Sequence, residues 1–350
     1  MSSRRMRWAV PAGALVVTGG ILAGSLISSA QAAPGLPTRT PAQLLAEVAS
    51  ASSTNGAPPL TGTVVETASF GLPSLPATGS STSLSSLLTG SHTIRVWYAS
   101  PQHFRLAVPS SLSESDVIRD GSTAWLWQST LNKVTKYTLP ADAPAKAVPR
   151  TPVTPQEAAR QVLAAVGPTT AVSVNPNVTV AGQAAYALVL APKDHRSLVG
   201  QVQIDVDGKN GVPLRLQVFA RGASTPAFQV GFTAVQFVTP AAADLSFTPP
   251  AGATVTQENL GSGEHSRPDG TSQGTTIGKD WLTVLKLPSA GLTSQENTLL
   301  RAATPVHGAW GSGRLLRTSL VSVLITDGGR VYAGAVQPSV LYSAAGSATS

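Results

Sequence analysis

Between Val199 and Asp207 the side chains alternate in character. Val202, Ile204 and Val206 fall on one side of an extended chain, and Gln201, Gln203 and Asp205 on the other. A period of two belongs to a strand with one face in a core and one in water, the pattern of an antiparallel sheet. Phe228, Val230 and Phe232 repeat it. The composition points the same way. Gly and Pro make up 32 and 27 of the 350 residues, and charged residues only 12%, about half the usual share of roughly 25%. Such a chain favours strands and turns over helices.

Strands are predicted at 60–70, 93–98, 104–108, 115–119, 124–129 and 133–139, with Asp120-Gly121 as a hairpin turn. A second group follows at 171–180, 183–190, 199–207, 214–220 and 228–237. Two helices interrupt them. Thr40-Pro41 reads as N-cap and N1 of a helix to about Ser50, with Leu44, Leu45 and Val48 as its stripe. Thr154-Pro155-Gln156-Glu157 opens another to about Val166 with a capping box, its stripe Val162, Leu163 and Val166. The run 71–91 is rich in Pro, Ser, Gly and Thr but also in Leu, and reads as a flap or a surface loop.

The first 32 residues read as a targeting segment. Arg4, Arg5 and Arg7 form a basic start, Ala9 to Ile27 an apolar run, and Ala30-Gln31-Ala32 a small-residue exit. The run exceeds the usual ~7–15 residues of a cleaved signal and approaches the ~20 that span a bilayer. Cleavage and anchoring both fit; either places the remainder outside the cytoplasm. The formal net charge is +7, of which those arginines supply three, leaving 7 − 3 = +4 scattered over the rest. No basic cluster marks a nucleic-acid face. The chain has no cysteine, so disulfides, thiolate chemistry and an N-terminal lipidated Cys are excluded.

The remaining organisation is a main domain at 40–257, a Gly/Ser-rich linker at 258–275 and a small α+β domain at 276–346. The last is read with a strand at 281–285, a helix near 294–303 and strands around 315–326 and 331–336, with Asp327-Gly328-Gly329 as a turn. No signature of catalysis stands in the sequence. None of His92, His103, His195, His265 and His307 has metal-ligand spacing to another, and no nucleophile elbow, phosphate loop or dinucleotide fingerprint occurs. Asp205 to Gly211 resembles the start of a calcium loop but lacks its closing acid, and suits a hairpin turn better. The expectation is a protein with no catalytic residues, no metal and no cofactor.

Several short runs, taken in order, resemble the LolA-like superfamily, actinobacterial type. They are Val96-Trp97-Tyr98-Ala99-Ser100-Pro101 leading to Phe104-Arg105-Leu106, Val117-Ile118-Arg119-Asp120-Gly121 leading to Ala124-Trp125-Leu126-Trp127, Val212-Pro213-Leu214-Arg215, and Phe247-Thr248-Pro249-Pro250-Ala251-Gly252. The resemblance spans about Thr40 to Gln257. It implies a mostly β, α+β fold: an eleven-stranded, curved antiparallel half-barrel covered by helices over an apolar cavity. It also implies a non-enzymatic carrier or sensor of lipid acyl chains or lipoproteins. The added C-terminal domain resembles the layout of RseB/MucB regulators, which implies an envelope or membrane protein partner such as an anti-sigma factor as the alternative. Two helices serving some ten strands leave apolar sheet to be covered. Trp97, Phe104, Leu106, Trp125, Trp127, Leu188 and Phe232 are the candidate cavity-lining residues.

Overall fold

The computed structural model describes residues 35–53, 57–71, 89–140, 143, 148–149, 151–164, 166–260, 274–288 and 303–347. The targeting segment, nearly all of the 71–91 run, most of the linker and the helix expected near 294–303 lie outside them.

The chain is mostly β, built on a large curved sheet that does not close and a smaller second sheet. The first meander is β1 (Leu60–Ser69), β2 (Thr89–Ser100), β3 (His103–Pro109), β4 (Glu114–Asp120), β5 (Thr123–Gln128) and β6 (Lys133–Thr138). The second is β7 (Thr170–Val180), β8 (Gln183–Pro192), β9 (Val199–Asp207), β10 (Pro213–Ala220) and β11 (Pro226–Gln236). Antiparallel pairing of β1 with β11 fuses the two. A twelfth strand, β12 (Thr254–Asn259), adds to β6 in parallel, so the order is β12-β6-β5-β4-β3-β2-β1-β11-β10-β9-β8-β7. The resemblance implied eleven. The expected strands ended at 237 with a linker from 258, and only the return of the chain beside β6 makes 254–259 a strand.

Helices α1 (Pro41–Ala51) and α2 (Pro155–Leu163) cover one face, the inner face. In α1 the Thr40 hydroxyl accepts from the Gln43 N–H, and the Gln43 side chain accepts in return from the Thr40 N–H, a closed capping box. Leu44 and Val48 are buried beneath it and Leu45 packs at the edge. In α2 the buried residues are Pro155, Ala158 and Ala159, while Val162, Leu163 and Val166 are only partly covered. Small alanines let the helix lie close on β10 and β11, so the deepest burial falls one turn earlier along the same stripe as Val162 and Leu163. The helix ends at Leu163, short of Val166.

The main core lies between these helices and the inner face. Leu188, Ile204, Leu216 and Val230 form one row across β8, β9, β10 and β11, paired residue to residue. Asp205 departs from expectation. It stands on the opposite face, as the alternation requires, but is fully buried there, bound by Arg215 and Gln203 rather than by water. The 205–211 stretch is the β9–β10 turn. Asp207 Oδ1 accepts from the Lys209 and Asn210 N–H groups, and Gly211 takes φ +72°.

The second sheet contains β13 (Thr275–Ile277), β14 (Val284–Pro288), β15 (Thr304–Gly308), β16 (Gly311–Arg317), β17 (Ser322–Thr326) and β18 (Arg330–Gly334), ordered β13-β14-β18-β17-β16-β15. Where a strand was expected at 281–285, residues 280–282 form a 3-10 turn and the strand begins at Val284. A short helix, α3 (Ala242–Leu245), lies against the outer side of β3 and β4, and α4 (Pro338–Gly346) packs on β14, β17 and β18. Val284, Leu324, Tyr332 and Leu341 centre a separate apolar cluster. The two sheets meet at an isolated bridge between Ser197 and Val336. Hydrogen bonds from Leu198 N to Ala335 O at 2.9 Å and from Gln337 N to Arg196 O at 2.7 Å flank it.

Candidate binding cavity

A cavity of about 640 Å³ opens beneath the ends of the two covering helices. Its floor is the inner face of β1, β2 and β3, where Leu60, Val96, Tyr98, Phe104 and Leu106 converge. The register explains why. Leu60 pairs with Tyr98, Tyr98 with Phe104 and Val96 with Leu106, and residues opposite one another share a face. Val148, Pro149, Pro152 and Val153 form its roof, and Glu157, Arg160 and Gln161 of α2 its rim. The rim charges are paired, with Arg160 Nη2 2.6 Å from Glu157 Oε1. Burial raises the Tyr98 phenol above its ordinary value.

The candidate residues divide by strand parity. Phe104 and Leu106 line this cavity. Trp97, Trp125 and Trp127 do not; they lie on the outer face. Trp97 pairs with Arg105, and Trp125 with Ile118 and Lys136. The Arg105 guanidinium sits over the Trp97 ring at 5.4 Å and the Lys136 ammonium over Trp125 at 5.2 Å. Trp125 also meets Phe247 with ring centroids 5.7 Å apart, so the chain running to β12 covers this face. Trp97 edges a shallower dent there, of about 290 Å³, with Arg95 and Gln236. Leu188 and Phe232 are buried in the main core and are not part of the cavity wall.

Leu60, Val96 and Tyr98 line the cavity but are not among the candidates named from the sequence. Their signal was present, because Val96 and Tyr98 have opposite parity to Trp97. Arg119 is not among those candidates either. On β4 it shares the parity of Val117, pairs with Phe104 on β3 and Ala124 on β5, and is fully buried. Among the described residues no group of His, Asp and Glu could hold a metal ion. No helix there is long and apolar enough to cross a membrane.

No family model matches the chain, and no curated protein matches it. Solved structures do. MucB of Pseudomonas aeruginosa, in its complex with MucA, is similar at 16% identity and TM-score 0.44, over 87% of this chain and 96% of that one. An uncharacterized conserved protein from Thermus thermophilus matches at 12% identity and TM-score 0.34, over 63% of this chain and 100% of that one. A LolA superfamily protein from Nitrosomonas europaea matches at 10% identity and TM-score 0.25, over 60% of this chain and 99% of that one. Both likenesses suggested by the sequence, to LolA-like proteins and to MucB, recur among these structures.

Proposed function

We propose that this protein is a non-enzymatic, extracytoplasmic binding protein that holds the acyl chain of a lipid or lipoprotein in the cavity over β1 to β3. The observation that carries this reading is the cavity itself. Its volume of about 640 Å³ falls within the roughly 300–1,000 Å³ of ligand sites, and its floor is apolar apart from the Tyr98 phenol. Binding by burial would give about 0.8 kcal/mol for each CH₂ removed from water. The compartment follows from the basic start and apolar run of the first 32 residues.

Native mass spectrometry of the full chain, purified from its own envelope, tests the reading. An acyl lipid should co-purify and should be lost when Leu106→Trp fills the cavity. A ligand-free protein that captures no acyl chain from mixed lipid vesicles would overturn it. A second reading, a regulatory module that binds an envelope protein, draws support from the second sheet. Its outermost strand β15 is largely exposed, an edge of the kind that accepts an added strand. Capture of a membrane protein by a ligand-free chain, lost on deleting residues 276–346, would favour it.

A further inference from the structure

Arg119 heads the fully buried side chains by volume, and it forms no ion pair among the described residues. Its Nε donates to Gly121 O at 3.0 Å and its Nη1 to Ala143 O at 2.6 Å. Its Nη2 is buried and has no partner. A guanidinium offers five donors and keeps its charge in nearly any surroundings. Two carbonyl oxygens satisfy part of that capacity and none of the charge. Burying a cation without an anion is costly enough that such groups are rare outside functional sites.

Position narrows the role. Phe104, the cross-strand neighbour of Arg119, is a wall of the cavity. Val148, in its roof, belongs to the same buried cluster as Ala143, whose carbonyl takes the Nη1 bond. The cation therefore lies one strand over from Phe104 on the same inner face, next to the cavity lining rather than in it. Arg160 at the rim is a poorer anion site, being partly exposed and already paired with Glu157.

We infer that Arg119 is the head-group site of the cavity: its free Nη2 edge binds the carboxylate or phosphate of an amphiphile whose apolar chain lies over Leu106 and Val96. This rests on the acyl-binding reading and specifies the ligand class within it. A turn of the Phe104 ring opens the path between chain and cation. The bond formed is charge-assisted, which suits both anions.

The test compares decanoate, decyl phosphate and decanol by calorimetric titration into the full chain. The chains are equal and only the heads differ. At least one anion should bind roughly tenfold or more tightly than the alcohol, the scale of a hydrogen bond to a charged group. The better of the two anions identifies the source as carboxylate or phosphate. Arg119→Met should bring the anions down to the alcohol and leave the alcohol unchanged. Equal affinity of all three for the unaltered chain overturns this inference alone and needs no variant to fold. A uniform loss in Arg119→Met also overturns it, and assigns Arg119 to holding Ala143. No binding of any of them overturns the acyl-binding reading too.

Discussion

Arg215 Nε lies 2.6 Å from Asp205 Oδ2 across the β9–β10 pair, and the Asp205 carboxylate is fully buried there. Burial raises the Asp205 pKa, and Arg215 and Gln203 pull it back. Gly231 makes room for the arginine, since a Cβ on it would meet Arg215 Cγ at 2.8 Å. Arg215→Met strands the carboxylate and should cost about 3–5 kcal/mol in urea unfolding. Gly231→Ala should destabilise the unaltered chain, and less so in an Arg215→Ala background, where the Cγ is gone and only the Cβ, at 3.0 Å, remains in the way.

Asp116 predicts a pH dependence. It is 1% exposed, and burial pushes its carboxyl from 3.8 up to about 6, aided by a hydrogen bond with Glu114 and opposed by Arg105. In that interval the folded chain keeps a proton that the unfolded chain releases. Stability from this group is therefore present at low pH and falls as pH rises from about 4 to about 6. Urea midpoints across that range should show the decline, and Asp116→Asn should flatten it.

The closed capping box of α1 predicts a local loss. Thr40→Ala removes the acceptor for the Gln43 N–H and should cost about 1 kcal/mol. Thr40→Ser should restore most of it. Thermal unfolding of the three proteins measures the difference.

The joint between the sheets depends on Arg221. Its Nε donates to Ser197 O at 3.0 Å, and its Nη2 to Asp194 O at 3.2 Å and Val199 O at 3.1 Å. These bonds shape the loop that bridges to Val336. Arg221→Ala should speed amide exchange at Leu198 and Gln337, which donate across the joint, and leave β4 and β5 protected.

Strand parity predicts which aromatic residues matter for binding. Phe104→Ala should weaken a fluorescent acyl probe, because its ring walls the cavity. Trp97→Ala and Trp127→Ala, on the outer face, should leave the dissociation constant within about twofold of the unaltered chain.

Much of the β framework could be read in advance because its signals are local. The alternation at 199–207 matches β9 end to end, and the Asp120-Gly121 turn joins β4 to β5 with Gly121 at φ +60°. Thr40-Pro41 opens α1 as its cap chemistry requires. What escaped depends on partners distant in sequence. Residues 254–259 are polar, and become a strand through parallel pairing with β6. Asp205 is buried because Arg215 lies opposite it.

The cavity floor shows the division clearly. The sequence by itself determined that Val96 and Tyr98 share one face of β2 and that Trp97 takes the other, because successive side chains in a strand point to opposite sides. Tertiary structure alone decided which face turns inward and which residues of β1 and β3 stand beside them. Those choices follow from strand register and from where α1 and α2 come to rest. Both are set by contacts between segments far apart in the chain, and size and hydrophobicity of single residues do not encode them. The three tryptophans therefore went outward, Trp97 to Arg105 and Trp125 to Lys136 and Phe247, and smaller Leu60, Val96 and Leu106 joined Tyr98 and Phe104 beneath the roof.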